Sequence, residues 1–318
     1  MLPDLITKEM LLTELKKTGS DLIQQTRSEN TKKSYQSDFK NFAKWCYSVD
    51  LSALPAEPDT VRLYLVYLDK IGRKVSTITR VITSIRQAHR LANLESPISV
   101  AVSETAKALF RKLGMEQTKK SALTKDKLER ILKFIGQDLL GVRDRAIILV
   151  GWTGALRRSE IVGINFEDIE QVAEGLIITI RRSKTDQLGK GRKIGLPFVD
   201  SDQNFCAARA LQNWLTAAKI KNGPVFRQIG KGRKTIGERL DDKQISRVVK
   251  GYSKKAGYDP AVFGGHSLRS GLATTLASIG IEERKIMNIT GHKSLPMLRE
   301  YIQRGELFFE HPILTLFK

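Results

Sequence analysis

The sequence predicts a mainly α-helical protein of two domains, with a small antiparallel β-sheet in the second domain (α+β). Apolar residues recur at helical spacing between about residues 28 and 114. Further along the chain, the β-rich segments 176–180 and 193–197 lie on either side of a polar turn that contains glycine. Residues 116–123 are polar and basic and predict a linker between the two domains.

The first domain, residues 28–115, is predicted to be all-helical, with an N-terminal arm of residues 1–27 before it. The arm has the pattern of one helix over about 4–26. Asp59 is predicted to cap the second helix of the domain, and a fourth helix covers about 99–114. The apolar faces of the first three helices are formed by Tyr35, Phe39, Phe42, Cys46, Val61, Leu65, Leu68, Ile78, Ile82, Ile85 and Ala92.

The second domain, residues 124–303, begins with Thr124 as the predicted N-cap of a helix. That helix is expected to bury Leu128, Ile131 and Ile135, and another helix covers residues 144–152. After the two strands, helical patterns return at about 206–220, 243–256, 267–279 and 283–290. The remaining residues, 304–318, form an unusually apolar C-terminal tail.

The chain is strongly basic, which predicts a polyanionic partner. It has 54 Lys and Arg residues against 34 Asp and Glu, for a formal net charge of +20 and a pI of about 9.9. Nucleic acid is the commonest such partner, and an anionic membrane surface is the alternative. No apolar run approaches the roughly 18 residues that span a bilayer, and the N-terminus lacks the features of a signal peptide. We therefore expect a cytoplasmic protein, or a nuclear one in a eukaryotic host.

The chain has two cysteines, Cys46 and Cys206, which both fall within predicted helices and are expected to be buried thiols. No cluster of cysteine and histidine residues has the spacing of metal ligands. A structural zinc site is therefore not expected.

Two short motifs place an arginine where it could bind a phosphate group. Arg157 follows a predicted helix end and precedes Glu160 by one turn, while His266 and Arg269 are three residues apart at a predicted helix start. Arginine suits a phosphodiester under attack because its planar fork donates two hydrogen bonds and stays charged. The alternatives are a surface ion pair between Arg157 and Glu160, and a histidine with a structural role.

Two further residues could complete such a site. Lys184 follows a predicted strand and could protonate a leaving oxygen, or merely contact phosphate or solvent. Tyr301 could act as a nucleophile, although nothing in its own surroundings distinguishes it from the other six of the seven tyrosines.

In chain order, these motifs resemble those of the tyrosine recombinase family (the phage integrase type). The family has a Thr-Gly-x-Arg-x-Ser-Glu motif, a lysine on a β-hairpin, His-x-x-Arg, Gly-His or Gly-Trp, and a tyrosine about nine residues later. The corresponding segments here are 153–160, Lys184, 266–269, 291–292 and Tyr301. Arg157 rather than Arg158 has the Arg-x-Ser-Glu spacing. The resemblance covers about residues 28–303.

The resemblance implies a reaction and a role for each residue. Tyr301 would attack the scissile phosphate, form a 3′-phosphotyrosyl bond and release a 5′-hydroxyl group. Lys184 would protonate the leaving oxygen, His266 would accept or return a proton near the nucleophile, and Glu160 would support the neighbouring cations. The non-bridging oxygens would be held by Arg157, Arg269 and His292. No metal, nucleotide or other cofactor is implied, because the covalent link conserves the energy of the broken bond.

The resemblance also implies how DNA is bound. The first domain resembles the core-binding (SAM-like) domain that closes with the catalytic domain as a clamp around double-stranded DNA. The helix expected to face DNA carries Arg80, Arg86 and Arg90, with Lys74 just before it. The expected assembly is a homotetramer on two sites with short inverted repeats, and a monomer or dimer otherwise. The short segment before residue 28 suggests no arm-binding domain, and the tail 304–318 is expected to dock on a neighbouring subunit or on its own domain.

The resemblance therefore predicts a site-specific DNA recombinase that integrates, excises or resolves DNA, as in a mobile element. Two alternatives remain at this point. A type IB topoisomerase-like enzyme uses the same chemistry without defined sites, and an inactive DNA-binding protein could have the same fold.

Overall fold

The computed structural model describes residues 29–114, 120–181, 191–230, 232, 236–291 and 294–302. The chain divides into two units, Met1–Gln117 and Thr118–Lys318. The predicted mainly helical fold with a small antiparallel sheet is confirmed. The predicted helix over 4–26 and the tail 304–318 lie outside the described residues.

The described part of the first unit consists of the helices α1 (Glu29–Tyr47), α2 (Pro58–Lys70), α3 (Val75–Leu91) and α4 (Val100–Leu113). Most of the predicted apolar faces form its core. The side chains with no exposed surface include Phe42, Cys46, Val61, Leu65, Ile78, Ile85 and Val102. Ala92 is an exception, because it follows the last residue of α3 and is exposed.

The prediction of Asp59 as a helix cap is wrong. Helix α2 begins at Pro58, and Glu57 occupies the N-cap position. Proline suits the first helical position because its φ angle is already helical and its missing N–H would have no partner there. Asp59 lies in the first turn instead and forms an exposed ion pair with Arg62, at 2.7 Å.

A buried histidine fixes α3 against the loop that precedes α2. His89 has no exposed surface. Its Nε2 accepts a hydrogen bond from the Ala56 amide at 2.9 Å, and its Nδ1 lies 2.9 Å from the Ile85 carbonyl oxygen. The imidazole is therefore held in the tautomer that donates from Nδ1. These bonds set the position of the helix that carries the predicted DNA-binding residues.

The second unit is built around a helix that is buried on all sides. Its described helices are α5 (Lys125–Leu132), α6 (Leu139–Thr153), α7 (Arg158–Gly163), α8 (Ala207–Ala217), α9 (Asp242–Lys255), α10 (His266–Ser278), α11 (Glu283–Thr290) and α12 (Leu295–Ile302). The five consecutive residues 146–150 of α6 have no exposed surface. A helix that is apolar around its whole circumference belongs in a core, and α6 packs against α8 and α10.

A three-stranded antiparallel sheet covers one side of this core. Its strands are β1 (Ile169–Val172), β2 (Gly175–Ile180) and β3 (Arg192–Pro197), in that order. The two predicted strands are thus confirmed as the hairpin β2–β3, in which Leu176 faces Leu196 and Ile178 faces Ile194. A second sheet pairs β4 (Arg227–Ile229) with β5 (Ile236–Arg239).

Both cysteines are buried thiols, as predicted. Burial raises the pKa of Cys46 to about 11, so this thiol stays protonated at neutral pH. The Sγ atom of Cys206 accepts a hydrogen bond from the Arg209 amide at 3.5 Å, at the start of α8.

A glycine allows α10 to lie directly against Leu123, the last residue of the predicted linker. A Cβ atom at Gly271 would lie 2.0 Å from the carbonyl oxygen of Leu123. The same oxygen accepts a hydrogen bond from Trp152 Nε1 at 2.8 Å, and the Leu123 amide donates to the Ser267 carbonyl at 2.9 Å. Leu123 therefore links the start of α10 to Trp152 of α6 through its backbone amide and carbonyl groups.

We expect Gly271→Ala to lower the free energy of unfolding by about 3 kcal/mol or more, because the clash is with backbone that is itself hydrogen-bonded. The matched control is Gly251→Ala in α9, where an added Cβ meets no atom within 4 Å. This control should be neutral or stabilising by about 0.5–1 kcal/mol, since alanine is the better helix former. Urea unfolding compares the two, and equal midpoints would contradict the close approach.

Candidate active site

The site is built on the turn that follows α6. Gly154 ends the helix, and Ala155 has a φ of 47°, which is uncommon for a residue other than glycine. Hydrogen bonds from the Ala155 amide to the Trp152 carbonyl at 3.0 Å and from the Leu156 amide to the Gly151 carbonyl at 2.9 Å close this turn. Ala155 and Leu156 are fully buried, so the position of the next residue, Arg157, is well determined.

Arg157 and Glu160 form a closed pair at the start of α7. Glu160 is 2% exposed, and one of its oxygens accepts a hydrogen bond from Arg157 Nη1 at 2.6 Å. Its other oxygen accepts from the Arg157 backbone amide at 2.9 Å. The carboxylate therefore caps the helix and orients the guanidinium at once. The side chain of Arg157 keeps 19% of its surface exposed, so it remains accessible to a ligand.

The pKa of Glu160 lies below its ordinary value. Burial opposes ionisation, but the hydrogen bonds from the Arg157 amide and guanidinium and the nearby charges of Arg157 and Arg192 outweigh it. Glu160 is thus a permanent anion at neutral pH, and it holds the cations around it in place.

We expect Glu160→Gln to lower the free energy of unfolding at pH 7 by about 2 kcal/mol, below the full cost of breaking a buried pair because both arginine partners are partly exposed. A carboxylate whose folded pKa is depressed stabilises the fold above its unfolded pKa, and this contribution is lost as the pH falls through the folded value. The difference between the variant and the wild type should therefore shrink at acid pH. Urea unfolding at several pH values tests this, with the exposed Glu170→Gln as the control. A difference that stayed constant with pH would rule out the charge as its source.

Arg269 reaches the same turn from α10. It is 1% exposed, and its Nη1 donates to the Ala155 carbonyl oxygen at 2.9 Å. That oxygen belongs to the residue two positions before Arg157, so Arg269 is bonded to the turn that leads into Arg157. His266, one helical turn before Arg269, is the first residue of α10 and is exposed.

The neighbouring Arg158 has different surroundings. Its Nη1 lies 3.4 Å from Ser246 Oγ, and its Nη2 lies 3.6 Å from a carboxylate oxygen of Asp242. Its aliphatic part covers Gly265, where a Cβ would lie 2.3 Å from Arg158 Cγ. Arg158 therefore connects α9 to the start of α10, whereas Arg157 pairs with Glu160.

Arg192 also lies in this site, although the sequence patterns do not distinguish it. It is the first residue of β3, and its Nη2 lies 3.4 Å from the second carboxylate oxygen of Glu160. Its Nη1 donates to the Ile289 carbonyl oxygen at 3.0 Å, near the end of α11. No local motif marks this residue, because its partners lie 32 and 97 positions away in the chain.

The other predicted site residues are described only in part. Lys184 and His292 lie outside the described residues. Tyr301 belongs to α12, which packs against α10 and α11, but its side chain lies outside the described part. The structure thus brings Arg157, Glu160 and Arg269 together, and the other predicted roles stay predictions.

On the first unit, all four predicted DNA-binding residues are exposed, and one of them also forms an ion pair. Lys74, Arg86 and Arg90 lie exposed on or beside α3. Arg80 is exposed as well, and it donates to both carboxylate oxygens of the buried Asp38, at 2.5 and 3.0 Å. The hydrogen bond to Asp38 raises the pKa of Arg80.

Comparison with known proteins identifies the family. Residues 121–306 match the phage integrase family, and residues 20–96 match the phage integrase N-terminal SAM-like domain. The chain belongs to the phage integrase family. It is a tyrosine recombinase, an enzyme that exchanges strands of its partner DNA, as the motifs predicted.

Two relatives match this integrase along most of its length. It is 35% identical over 300 residues to an integrase/recombinase xerD homolog of Selenomonas ruminantium, covering 93% of this chain and 87% of the relative. It is 24% identical over 312 residues to the recombinase cre of Escherichia phage P1, covering 91% and 89%.

Two solved structures share the fold of this integrase. The Tn1549 transposon integrase in complex with transposon right end DNA has a TM-score of 0.62 at 18% identity, covering 88% of this chain and 93% of that one. A lambda integrase dimer bound to a COC′ core site has a TM-score of 0.61 at 17% identity, covering 95% and 81%.

Two features are absent from the described residues. No helix among them is both long and apolar enough to cross a membrane. Within the same ranges, no group of three or more His, Cys, Asp and Glu side chains is arranged to hold a metal ion.

Proposed function

We propose that the chain is a site-specific recombinase that cuts and rejoins DNA through a 3′-phosphotyrosyl intermediate and a Holliday junction. The observation that carries this proposal is the turn at Ala155: it leads directly into Arg157, which Glu160 orients, and its Ala155 carbonyl accepts a hydrogen bond from Arg269. Such an arrangement offers two fixed guanidiniums to one phosphate. The printed names of the relatives, a recombinase and an integrase/recombinase, support the same activity.

In the proposed cleavage step, Tyr301 is the nucleophile. Its hydroxyl oxygen forms a bond to the scissile phosphorus while the bond from phosphorus to the 5′-oxygen breaks. The phenolic proton passes to His266, whose exposed position at the start of α10 suits proton exchange. Lys184 gives a proton to the departing 5′-oxygen, which leaves as a hydroxyl group. Reversal of these transfers, with a 5′-hydroxyl from another strand, completes the exchange.

The cations stabilise the charge that develops on the phosphate. In-line attack spreads negative charge over the non-bridging oxygens, and fixed donors are worth most where water is excluded. Arg269 is almost fully buried and so fits this role. Arg157 and His292 would complete the set, and Glu160 would keep Arg157 in its orientation. Because the phosphotyrosyl bond conserves the energy of the cleaved linkage, the proposed reaction requires neither a metal ion nor ATP.

We further propose that residues 28–115 bind duplex DNA beside the catalytic domain, 124–303. Lys74, Arg86 and Arg90 are exposed and would contact phosphates, so binding should weaken steeply with salt. Arg80 would act with them through the guanidinium N–H groups that do not bond to Asp38.

The proposed assembly is a homotetramer on two DNA sites with short inverted repeats. The apolar tail, residues 304–318, would link neighbouring subunits. A chain that ends at Gly305 and still cleaves DNA but no longer forms synapses would support that docking.

We place the protein in the cytoplasm, associated with the nucleoid through DNA, and co-sedimentation with nucleoid DNA would test this placement.

Strand exchange between two differently labelled duplexes tests the proposal. Each duplex carries a segment of the DNA that flanks the gene, chosen for short inverted repeats around a spacer. Recombinant products with exchanged labels are the expected result. Relaxation of supercoiled DNA without label exchange would indicate a topoisomerase, and binding without any cleavage would indicate an inactive DNA-binding protein.

A further inference from the structure

Arg192 has no role in the family motifs described above, yet it contacts two separate parts of the site. Its guanidinium lies against the carboxylate of Glu160 on one side and against the backbone at the end of α11 on the other. Only 23% of the side chain is exposed. It is therefore not a freely solvated surface cation.

The first contact makes Glu160 a shared anchor. One carboxylate oxygen of Glu160 accepts from Arg157 Nη1 at 2.6 Å, and the other lies 3.4 Å from Arg192 Nη2. Two guanidiniums thus lie on either side of one buried carboxylate. Without Arg192, the second oxygen of Glu160 would keep its bond from the Arg157 amide but lose the guanidinium on its other side, so the carboxylate and the Arg157 guanidinium would be less firmly oriented.

The second contact fixes the turn that leads into His292. Arg192 Nη1 donates to the Ile289 carbonyl oxygen at 3.0 Å, where a cation also complements the negative end of the helix dipole. Gly291 follows with a φ of 66°, and a Cβ atom there would lie 3.1 Å from the same Nη1. The glycine of this Gly-His pair therefore makes room for the guanidinium as well as for the left-handed turn.

The position of Arg192 in the sheet adds a third connection. It pairs with Ile180 at the loop end of the hairpin β2–β3, directly after Gly191. The residues between these strands include Lys184. Arg192 is thus the first residue of β3 to follow the hairpin loop, and it joins that strand to α7 and α11.

We infer that Arg192 is a positioning residue: it holds the Arg157–Glu160 pair and the turn before His292 in one arrangement, so that both face the same phosphate. This inference rests on the proposed function of Arg157 and His292. A planar guanidinium can reach two acceptors on opposite sides, which a lysine ammonium on its flexible stem cannot do in the same geometry. Arg192→Lys should therefore fail nearly as fully as Arg192→Ala.

The test measures formation of the covalent adduct in a single turnover on a nicked suicide substrate. Arg192→Ala and Arg192→Lys should each be slowed about 100-fold, the size of loss expected when reacting groups are misplaced by about 1 Å. The matched control is Lys193→Ala, the next residue of β3, whose side chain is 67% exposed and pairs only loosely with Glu170. Lys193→Ala removes the same positive charge, so the DNA affinity of the two alanine variants should fall by a similar amount. The rate of adduct formation by Lys193→Ala should nevertheless change no more than about twofold.

Chemically altered substrates separate positioning from a general loss of structure. A methylphosphonate at the scissile linkage lacks one negative oxygen, so the groups that hold the phosphate contribute less to the rate. The slowing of Arg192→Lys relative to the wild type should therefore fall from about 100-fold to about tenfold or less. A 5′-bridging sulfur needs no proton to leave, so it should not reduce the deficit. Equal slowing on all three substrates would overturn the inference, and so would a normal rate for Arg192→Lys.

The inference and the proposed function fail in different ways. If the wild-type protein forms no adduct with Tyr301, the proposed function itself is wrong. If the wild type is active and Arg192→Lys behaves like Lys193→Ala, only the role of Arg192 is wrong. The thermal unfolding midpoint of each variant shows whether it is folded, and the lysine variant provides the test should the alanine variant unfold.

Discussion

Replacing Tyr301 with phenylalanine is expected to abolish the covalent protein–DNA adduct while DNA affinity stays nearly unchanged. Only the hydroxyl oxygen is lost, and without it no phosphotyrosyl bond can form. The binding energy comes mainly from contacts between cations and phosphates, which the substitution leaves in place. Adduct formation on a nicked suicide substrate and equilibrium binding at fixed salt measure the two quantities separately.

A second tyrosine provides the control for this prediction. The ring of Tyr258 packs against Phe263 and beneath the Arg130 guanidinium, and phenylalanine can keep both contacts. Tyr258→Phe should therefore form the adduct at the wild-type rate. An adduct of normal yield with Tyr301→Phe would exclude Tyr301 as the nucleophile.

The second large effect is expected at Arg269. Arg269→Ala should slow adduct formation by about 10³- to 10⁵-fold, the value of a catalytic arginine in phosphoryl transfer. Its near-complete burial makes its charge effective, because little water is present to screen it. Single-turnover rates under saturating protein measure this loss without a contribution from weaker binding.

A control variant and a stability measurement show where this loss comes from. Arg284→Ala removes the same charge from an exposed position on α11 and should be nearly silent. Arg269 also donates to the Ala155 carbonyl, so the unfolding midpoint of Arg269→Ala shows how much of the loss comes from a loosened turn. A folded Arg269→Ala variant that retained a tenth of the wild-type rate would contradict a catalytic role for Arg269.

Local patterns predicted the parts of the molecule that depend on local sequence. The helical period located α10 and with it the His266–Arg269 pair, whose three-residue spacing fixes both on one helix start. The β-rich segments located the hairpin β2–β3, since its two strands follow one another in the chain. These elements are determined by the preferences of neighbouring residues.

Features that depend on distant contacts could not be predicted from the sequence. The partners of Arg192 are 32 and 97 residues away, and the carboxylate that binds Arg80 is 42 residues away. Strands β4 and β5 have three and four residues, too few for a recognisable alternation. The left-handed conformation of Ala155 depends on the buried packing around this residue. An alanine in the sequence does not by itself indicate such a conformation.

The position of the covalent bond is the most direct test of the central proposal, that a phenolic oxygen attacks a phosphate held by Arg157 and Arg269. The adduct trapped on a suicide substrate is digested with nuclease and protease, and the peptide that retains the nucleotide is sequenced by mass spectrometry. The modification should lie on Tyr301. A nucleotide attached to any other tyrosine, or to a serine, would contradict the proposed mechanism.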